Sequence, residues 1–288
     1  MPLQQLASGL TAGGVYALIA LGFVLIYKST DVVNFAQGEL VTWGAYLGLI
    51  TFVMLALPFP LAFVIAVAAS GVLGLLIERL AMRPLLGSPA LTSIIATIGV
   101  GLILQNAVRL IFGGDIQAFP SVFDTEPRQL GAIRVTPQSA YVLALSVLLM
   151  VGFTAFFRFT KTGTAMRATA QNRPAAALMG VRVGQMLALT WAVGAALAGA
   201  AGVLLAPLIV VSPDMGFVAL KAFAAAILGG FNSFAGAIFG GFVLGVIESF
   251  AGTYISTAFK DVVSFLVIIA VLVIRPAGLL QAAHRKKV

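Results

Sequence analysis

TKTGTAMRATAQNRPAAALMGVRVGQM, residues 160–186, decides how the chain is organised. It carries Lys161, Arg167, Arg173 and Arg182, with Arg158 just before it, and no acidic residue. Lys and Arg hold short loops on the cytoplasmic side of a membrane, so the charge places this stretch inside. Its local chemistry predicts a short helix rather than a slack loop. Asn172 is a good N-cap, Pro174 is tolerated in a first turn, the alanines that follow favour helix, and Gly180 is a natural stop. An alanine-rich helix standing in the cytosol offers another protein something to grip.

The rest of the chain fits a membrane setting. Of 288 residues, 61% are hydrophobic and 9% charged, where soluble domains carry about 25% charged residues. Apolar runs recur near the roughly 20 residues needed to cross hydrocarbon. The expected fold is an all-α polytopic membrane protein, residues 1–288 forming a single transmembrane domain. It should hold about eight transmembrane helices plus a re-entrant half-helix hairpin. A net charge of +8 would suggest a nucleic-acid partner in a soluble protein. Here twelve of seventeen cations (Lys28, Arg79, Arg83, the five from Arg158 to Arg182, Arg275, Arg285, Lys286 and Lys287) fall in segments expected inside. The basicity therefore reports orientation within a lipid bilayer, and no nucleic acid is implied. Cysteine is absent, so disulfides and thiolate metal sites are excluded, and neither a metal nor a cofactor is expected.

Taken in order, the expected spans are 3–27, 41–57, 61–77, 92–111, 141–157, 187–211 and 262–274. Between the first two lies NFAQGEL, residues 34–40, too polar for lipid. Asn34, Gln37 and Glu39 either face a protein-lined cavity or form a solvated turn with Glu39 at a helix N-terminus; the sequence leaves both open. In the fourth span Gln105 and Asn106 are accounted for by interhelical hydrogen bonds and Arg109 by snorkelling. Residues 113–138, with Asp115, Asp124 and Glu126 against Arg128 and Arg134, are expected outside. Charge parity then needs two crossings between 216 and 250. A half-helix dipping in, a turn at GGFNSF around Gly229, Gly230 and Asn232, and a return arm provide them. Gly236 and Gly240 would let that hairpin pack deeply. A plain hairpin of two short spans satisfies parity equally. Either way the N-terminus is outside and the basic tail, 275–288, is cytoplasmic. Glu248, near the outer end of its arm, is expected at the interface.

These residues resemble the permease subunits of bacterial ATP-binding-cassette importers for branched-chain amino acids. NFAQGEL followed by WGAYLG is similar to that family's first polar signature. Gly163, Arg167, Ala168, Asn172, Ala175, Ala176 and Gly180 match its loop pattern, and KAFAAAILGGFNSFAGAIFGG with RPAGLL resembles its last signatures. The resemblance implies a bacterial inner-membrane protein working with a second permease subunit, homologous or identical, two cytoplasmic ATP-binding subunits and a periplasmic substrate-binding protein. Gly163 through Gly180, with Arg173 at the rim, would couple to the ATPase, and Asn34, Gln37 and Glu39 would mark the translocation pathway. Where relatives often have Glu, this chain has Pro174, which puts a charge-based contact there in doubt. The same signatures cover importers of amides or urea.

Catalysis has little to stand on. His284 lies in the tail, no acid pair sits at helical spacing within a span, and GFVLIYKS at 22–29 lacks the second glycine of a phosphate cradle, so the chain is not expected to be an enzyme. An ion-coupled secondary transporter of small polar solutes is the alternative; Glu39 and Glu248 would then be its candidate ion sites.

Overall fold

Backbone in hydrocarbon must satisfy its own hydrogen bonds, and helices accordingly carry most of this chain. The structure, a computed structural model, describes residues 2–123, 126–130, 133–256, 260–275 and 278–280. Asp124, Pro276 and the tail residues His284, Arg285, Lys286 and Lys287 lie outside the described residues. The helices are α1 (Pro2–Thr30), α2 (Gln37–Leu49), α3 (Phe59–Ile77), α4 (Ala90–Phe112), α5 (Pro137–Phe159), α6 (Lys161–Gln171), α7 (Arg173–Leu178), α8 (Val183–Leu205), α9 (Val218–Gly229), α10 (Phe234–Tyr254) and α11 (Lys260–Ile274). A small antiparallel hairpin, β1 (Arg128–Leu130) with β2 (Ile133–Val135), sits in the loop after α4.

Six helical stretches among the described residues are long and apolar enough to cross a membrane: Pro2–Thr30, Phe59–Leu85, Ala90–Phe112, Pro137–Phe159, Val183–Leu205 and Phe234–Tyr254. This is an all-α multi-pass membrane protein. The difference from about eight spans lies in three shorter helices, α2, α9 and α11, of 13, 12 and 15 residues.

α1 is the central pillar, with its middle almost entirely buried. Its Gly9 and Gly13 meet the backbone of Gly245 and Gly241 on α10, so these two helices lie nearly in backbone contact. α8 packs on another side of α1 and against α3. One end of the bundle gathers cations: Lys28, Arg83, Arg158 and the α6–α7 segment. The opposite end holds the loop after α4, tied down by the backbone pairing of Gln117 with Val211.

Two helices are broken. After Asp31, held at φ 58°, the chain turns back from the basic end, runs without regular structure through 32–34 and makes a turn at 35–36, so that α2 starts inside the bundle. It then continues through a π-helical turn, Ile50–Met54. The chain after α8 dips in from the opposite end, and α9 starts inside and runs towards the basic end. The two starts touch: a Cβ on Gly38 would strike the Gly216 carbonyl. Around them the contacts are inverted. α1 lies along α10 as α8 lies along α3, and α9 packs on α1 as α2 packs on α8, the arrangement of an inverted repeat.

The expected half-helix hairpin over 216–250 therefore has only one short arm. α9 is short, but α10, at 21 residues, is long enough to cross by itself. Its glycines pack it along the full length of α1 instead of ending it in mid-layer. The second broken element is α2, where the sequence suggested an ordinary span.

Candidate functional site

The first half-helix start is an amide wedge. Asn34 Nδ2 donates to Gln37 Oε1 at 3.1 Å, Gln37 Nε2 donates to the Gly194 carbonyl on α8 at 3.2 Å, and Asn34 Oδ1 accepts from the Ala36 N–H at 3.1 Å. Both side chains are 0% exposed. The Phe35 N–H donates to Thr97 Oγ1 of α4 at 3.2 Å. Protein, not water, encloses NFAQGEL at Asn34 and Gln37. Glu39, in the first turn of α2, differs: it is partly open and lines a cavity of about 160 Å³ with Phe35, Gly38, Gly216, Phe217 and Phe223.

The second start carries ions. Asp214, just before Gly216, accepts from Arg109 Nη2 at 2.8 Å and from Gln105 Nε2 at 3.3 Å, both on α4. Behind α9, Lys221 Nζ lies 2.7 Å and Lys260 Nζ 3.3 Å from Glu248 Oε1. Glu248 is 1% exposed. It lies inside the bundle, not at the interface as expected, because two ammonium groups from α9 and α11 converge on it. Arg109 is likewise paired rather than merely snorkelling. Asp214 escaped the sequence reading. Its signal was the i, i+4 spacing of Gln105 and Arg109 on one helix face, which asks for a shared polar partner.

The basic segment holds the short helix that its Asn172 cap predicts, α7, and before it a second helix, α6, of 11 residues that the sequence reading did not foresee. Thr160 Oγ1 accepts from the Gly163 N–H at 2.9 Å and opens α6. Gly163 itself lies against the carbonyls of Phe156 and Phe157, where a Cβ has no room. Asn172 Oδ1 accepts from the Ala175 N–H at 3.0 Å and opens α7, and Gly180 at φ 82° ends the turn. Arg167, next to Ala168 on α6, donates to the Arg158 carbonyl and to Thr164 Oγ1. Arg173 donates to the Ser29 carbonyl at 2.7 Å, fastening α7 to the end of α1. Ala176 is buried and Ala175 exposed. Leu178 and Met179, passed over in sequence, are 89% and 85% exposed.

At the α9–α10 turn Lys28 Nζ donates to the Asn232 carbonyl at 3.0 Å, and Ser233 Oγ accepts from the Gly236 N–H at 3.0 Å. Gly229 meets Gly236 and Gly240 meets the Ala225 carbonyl, backbone to backbone, while Gly230 turns the chain at φ 103°. Among the described residues no group of three or more His, Cys, Asp and Glu is placed to hold a metal ion.

Broken helices meeting at polar residues inside a multi-pass bundle are an arrangement for moving solutes. A family model described as branched-chain amino acid transport system, permease component, matches residues 5–272. The chain belongs to that family. The permease is 37% identical over 300 residues to the high-affinity branched-chain amino acid transport system permease protein LivH of Escherichia coli K12, covering 99% of this chain and 97% of LivH. It is 38% identical to the corresponding protein BraD of Pseudomonas aeruginosa over 99% and 98% of the two chains. A probable branched-chain amino acid transport permease protein of Methanocaldococcus jannaschii is 30% identical over 93% of the permease and 89% of its own length. No solved structure matches the permease.

Proposed function

We propose that this permease is the membrane-spanning subunit of an ATP-driven importer in a bacterial inner membrane. It works beside a second permease, homologous or identical, passing leucine, isoleucine or valine from a periplasmic binding protein to the cytoplasm. Two separate ATP-binding subunits drive it. The observation that carries this reading is the peg formed by α7. A six-residue helix at the basic end holds out Leu178 and Met179 while Arg173 anchors it to Ser29. Covering two such side chains with a partner surface contributes about 1.5–3 kcal/mol each. The charge bias of that end makes it cytosolic. Motion of the peg is passed through Ser29 and Asp31 to the segment that leads to Gln37. Charged contacts at the peg are secondary, since Arg167 and Arg173 already have partners within the chain and Pro174 brings no charge.

The test is reconstitution in proteoliposomes with the ATP-binding subunits and the binding protein, followed by labelled leucine uptake. Uptake that needs ATP and all partners is the expected result. Uptake by this chain alone, driven by a proton or sodium gradient, would overturn the reading in favour of an ion-coupled transporter.

A further inference from the structure

We infer that Arg109, Gln105 and Asp214 form a receiving station for a zwitterionic α-amino acid at the outer mouth of the cavity between the two half-helix starts. The inference rests on the transport reading above and goes beyond it by naming the groups that the solute meets.

Four observations converge. Gly101, Gln105 and Arg109 recur every four residues and so share one face of α4. Gly101 lies beside Glu39, and Arg109 stands two turns further along, about 12 Å away along the axis. The stripe thus runs from the touching helix starts towards the end of the bundle opposite the cations.

Next, the ion pair is not shut in. The side chains of Arg109 and Asp214 are 45% and 56% exposed, yet α4 shows Leu102, Ile103, Leu110 and Ile111 to its surroundings. Arg109 is in the last turn of α4, so the pair stands near the end of the bundle with its charges open to water, as the entrance of a solute path requires.

Third, the pair has the polarity of the solute. An amino acid presents a carboxylate and an ammonium side by side. Arg109, with Gln105 beside it, takes the carboxylate, and Asp214 takes the ammonium. Each protein ion exchanges one partner for another, so neither is left bare during the exchange. The contact is weak by construction, since an exposed pair of this kind is worth about 0–1 kcal/mol. That suits a site that must release what it receives.

Fourth, the cavity beyond is apolar apart from one acid. Phe35, Phe217 and Phe223 line it, and about 160 Å³ is room for a branched aliphatic side chain, given that a cavity of about 150 Å³ holds benzene. Glu39 Oε2 is buried with no hydrogen-bond partner and lies within electrostatic reach of both Asp214 and Arg109. It is the next acceptor for the ammonium as the solute moves inward.

The experiment uses the full reconstituted complex with saturating leucine-loaded binding protein. The double variant Arg109→Met with Asp214→Leu removes the pair without stranding either charge. Its maximal leucine uptake should fall by about fivefold, the loss expected when contacts of up to about 1 kcal/mol are forfeited. Copurification with the ATP-binding subunits, and capture of the binding protein, should match wild type. Asp214→Asn keeps the shape and is the second variant, read if the double variant fails to assemble; it too should lose about fivefold. An assembled variant whose uptake stays within about twofold of wild type shows a surface ion pair only and overturns the station. A wild-type complex without ATP-dependent leucine uptake overturns the transport reading instead, so the two failures are distinct.

Discussion

Where the chain enters the bundle at 32–37, its polar side chains are the amides Asn34 and Gln37, buried and bonded to one another; where it enters after α8, they are ions, and the foremost pair stands half open. These two inward turns are related by the inverted arrangement of α1–α4 and α8–α11, yet they solve the burial problem differently. An amide that has found its partners has no cause to move, and Gln37 ties α2 to α8 through the Gly194 carbonyl. An exposed ion pair exchanges partners cheaply. The α2 start therefore fixes the register of the site, and the α9 start offers the contacts that a passing solute can use. Behind α9 the chemistry turns rigid again, with Glu248 holding α10 to both α9 and α11.

The largest effect should come from that rear anchor. Glu248→Leu removes the carboxylate on which two ammonium groups converge, and breaking one partner out of a buried ion cluster costs about 3–5 kcal/mol. The Tm of the purified permease should drop by several degrees, and adding Lys221→Met should recover much of the loss. A Tm equal to wild type in the single variant would mean that α9 is held by packing alone, and the contrast between its two sides would go.

Gln37→Leu comes next. The substitution strips the Gly194 carbonyl of its side-chain donor and leaves Asn34 Nδ2 without the acceptor it uses. Leaving such groups unsatisfied costs about 1–3 kcal/mol. Leucine uptake should fall well below wild type while the complex still assembles. Undiminished uptake would show that the register of α2 is set elsewhere, for instance by the close approach of Gly38 and Gly216.

How far these features were legible depends on their range in sequence. The α7 peg was readable because everything that makes it is local: Asn172 caps it, Pro174 suits its first turn, and Gly180 ends it at positive φ. The polar run at 34–40 announced a break, since amides next to a span must find partners inside. Which partner Gln37 takes was not readable, because Gly194 is 157 residues away. The same holds for Arg109 with Asp214, 105 residues apart, and for Glu248, whose two cations arrive on different helices. Sequence shows that a polar group needs satisfaction, and only the packing of α4, α9 and α11 decides who supplies it. Glycine spacing in α10 was seen as suiting a deep hairpin, but spacing alone does not tell a short arm from a full crossing laid along α1.

A smaller effect is expected at Thr97, which joins the start of α2 to α4. Thr97→Val keeps the shape and removes the acceptor for the Phe35 N–H, a loss of about 1 kcal/mol. A modest drop in Tm with uptake largely preserved is the expected outcome. If uptake instead collapsed as it does for Gln37→Leu, the amide wedge and α4 would move as one unit, and the boundary between fixed and exchangeable contacts would have to pass elsewhere.

The last test perturbs the fold least, because it asks only about sides. The chain has no cysteine of its own, so a single thiol reports its position without background. Ala177 on α7 is exposed at the basic end, and Val210, 51% exposed, leads into α9 from the other end. If the two half-helices are reached from opposite faces, Ala177→Cys and Val210→Cys must react from opposite sides of the membrane, with uptake near wild type in both. In intact cells a membrane-impermeant maleimide should label position 210 and spare position 177 until the membrane is opened. Labelling of both from outside would place the two inward turns on one face and dissolve the inverted relation. Labelling of 177 alone would keep that relation but turn the molecule over, and the peg would then have no cytosolic partner to meet.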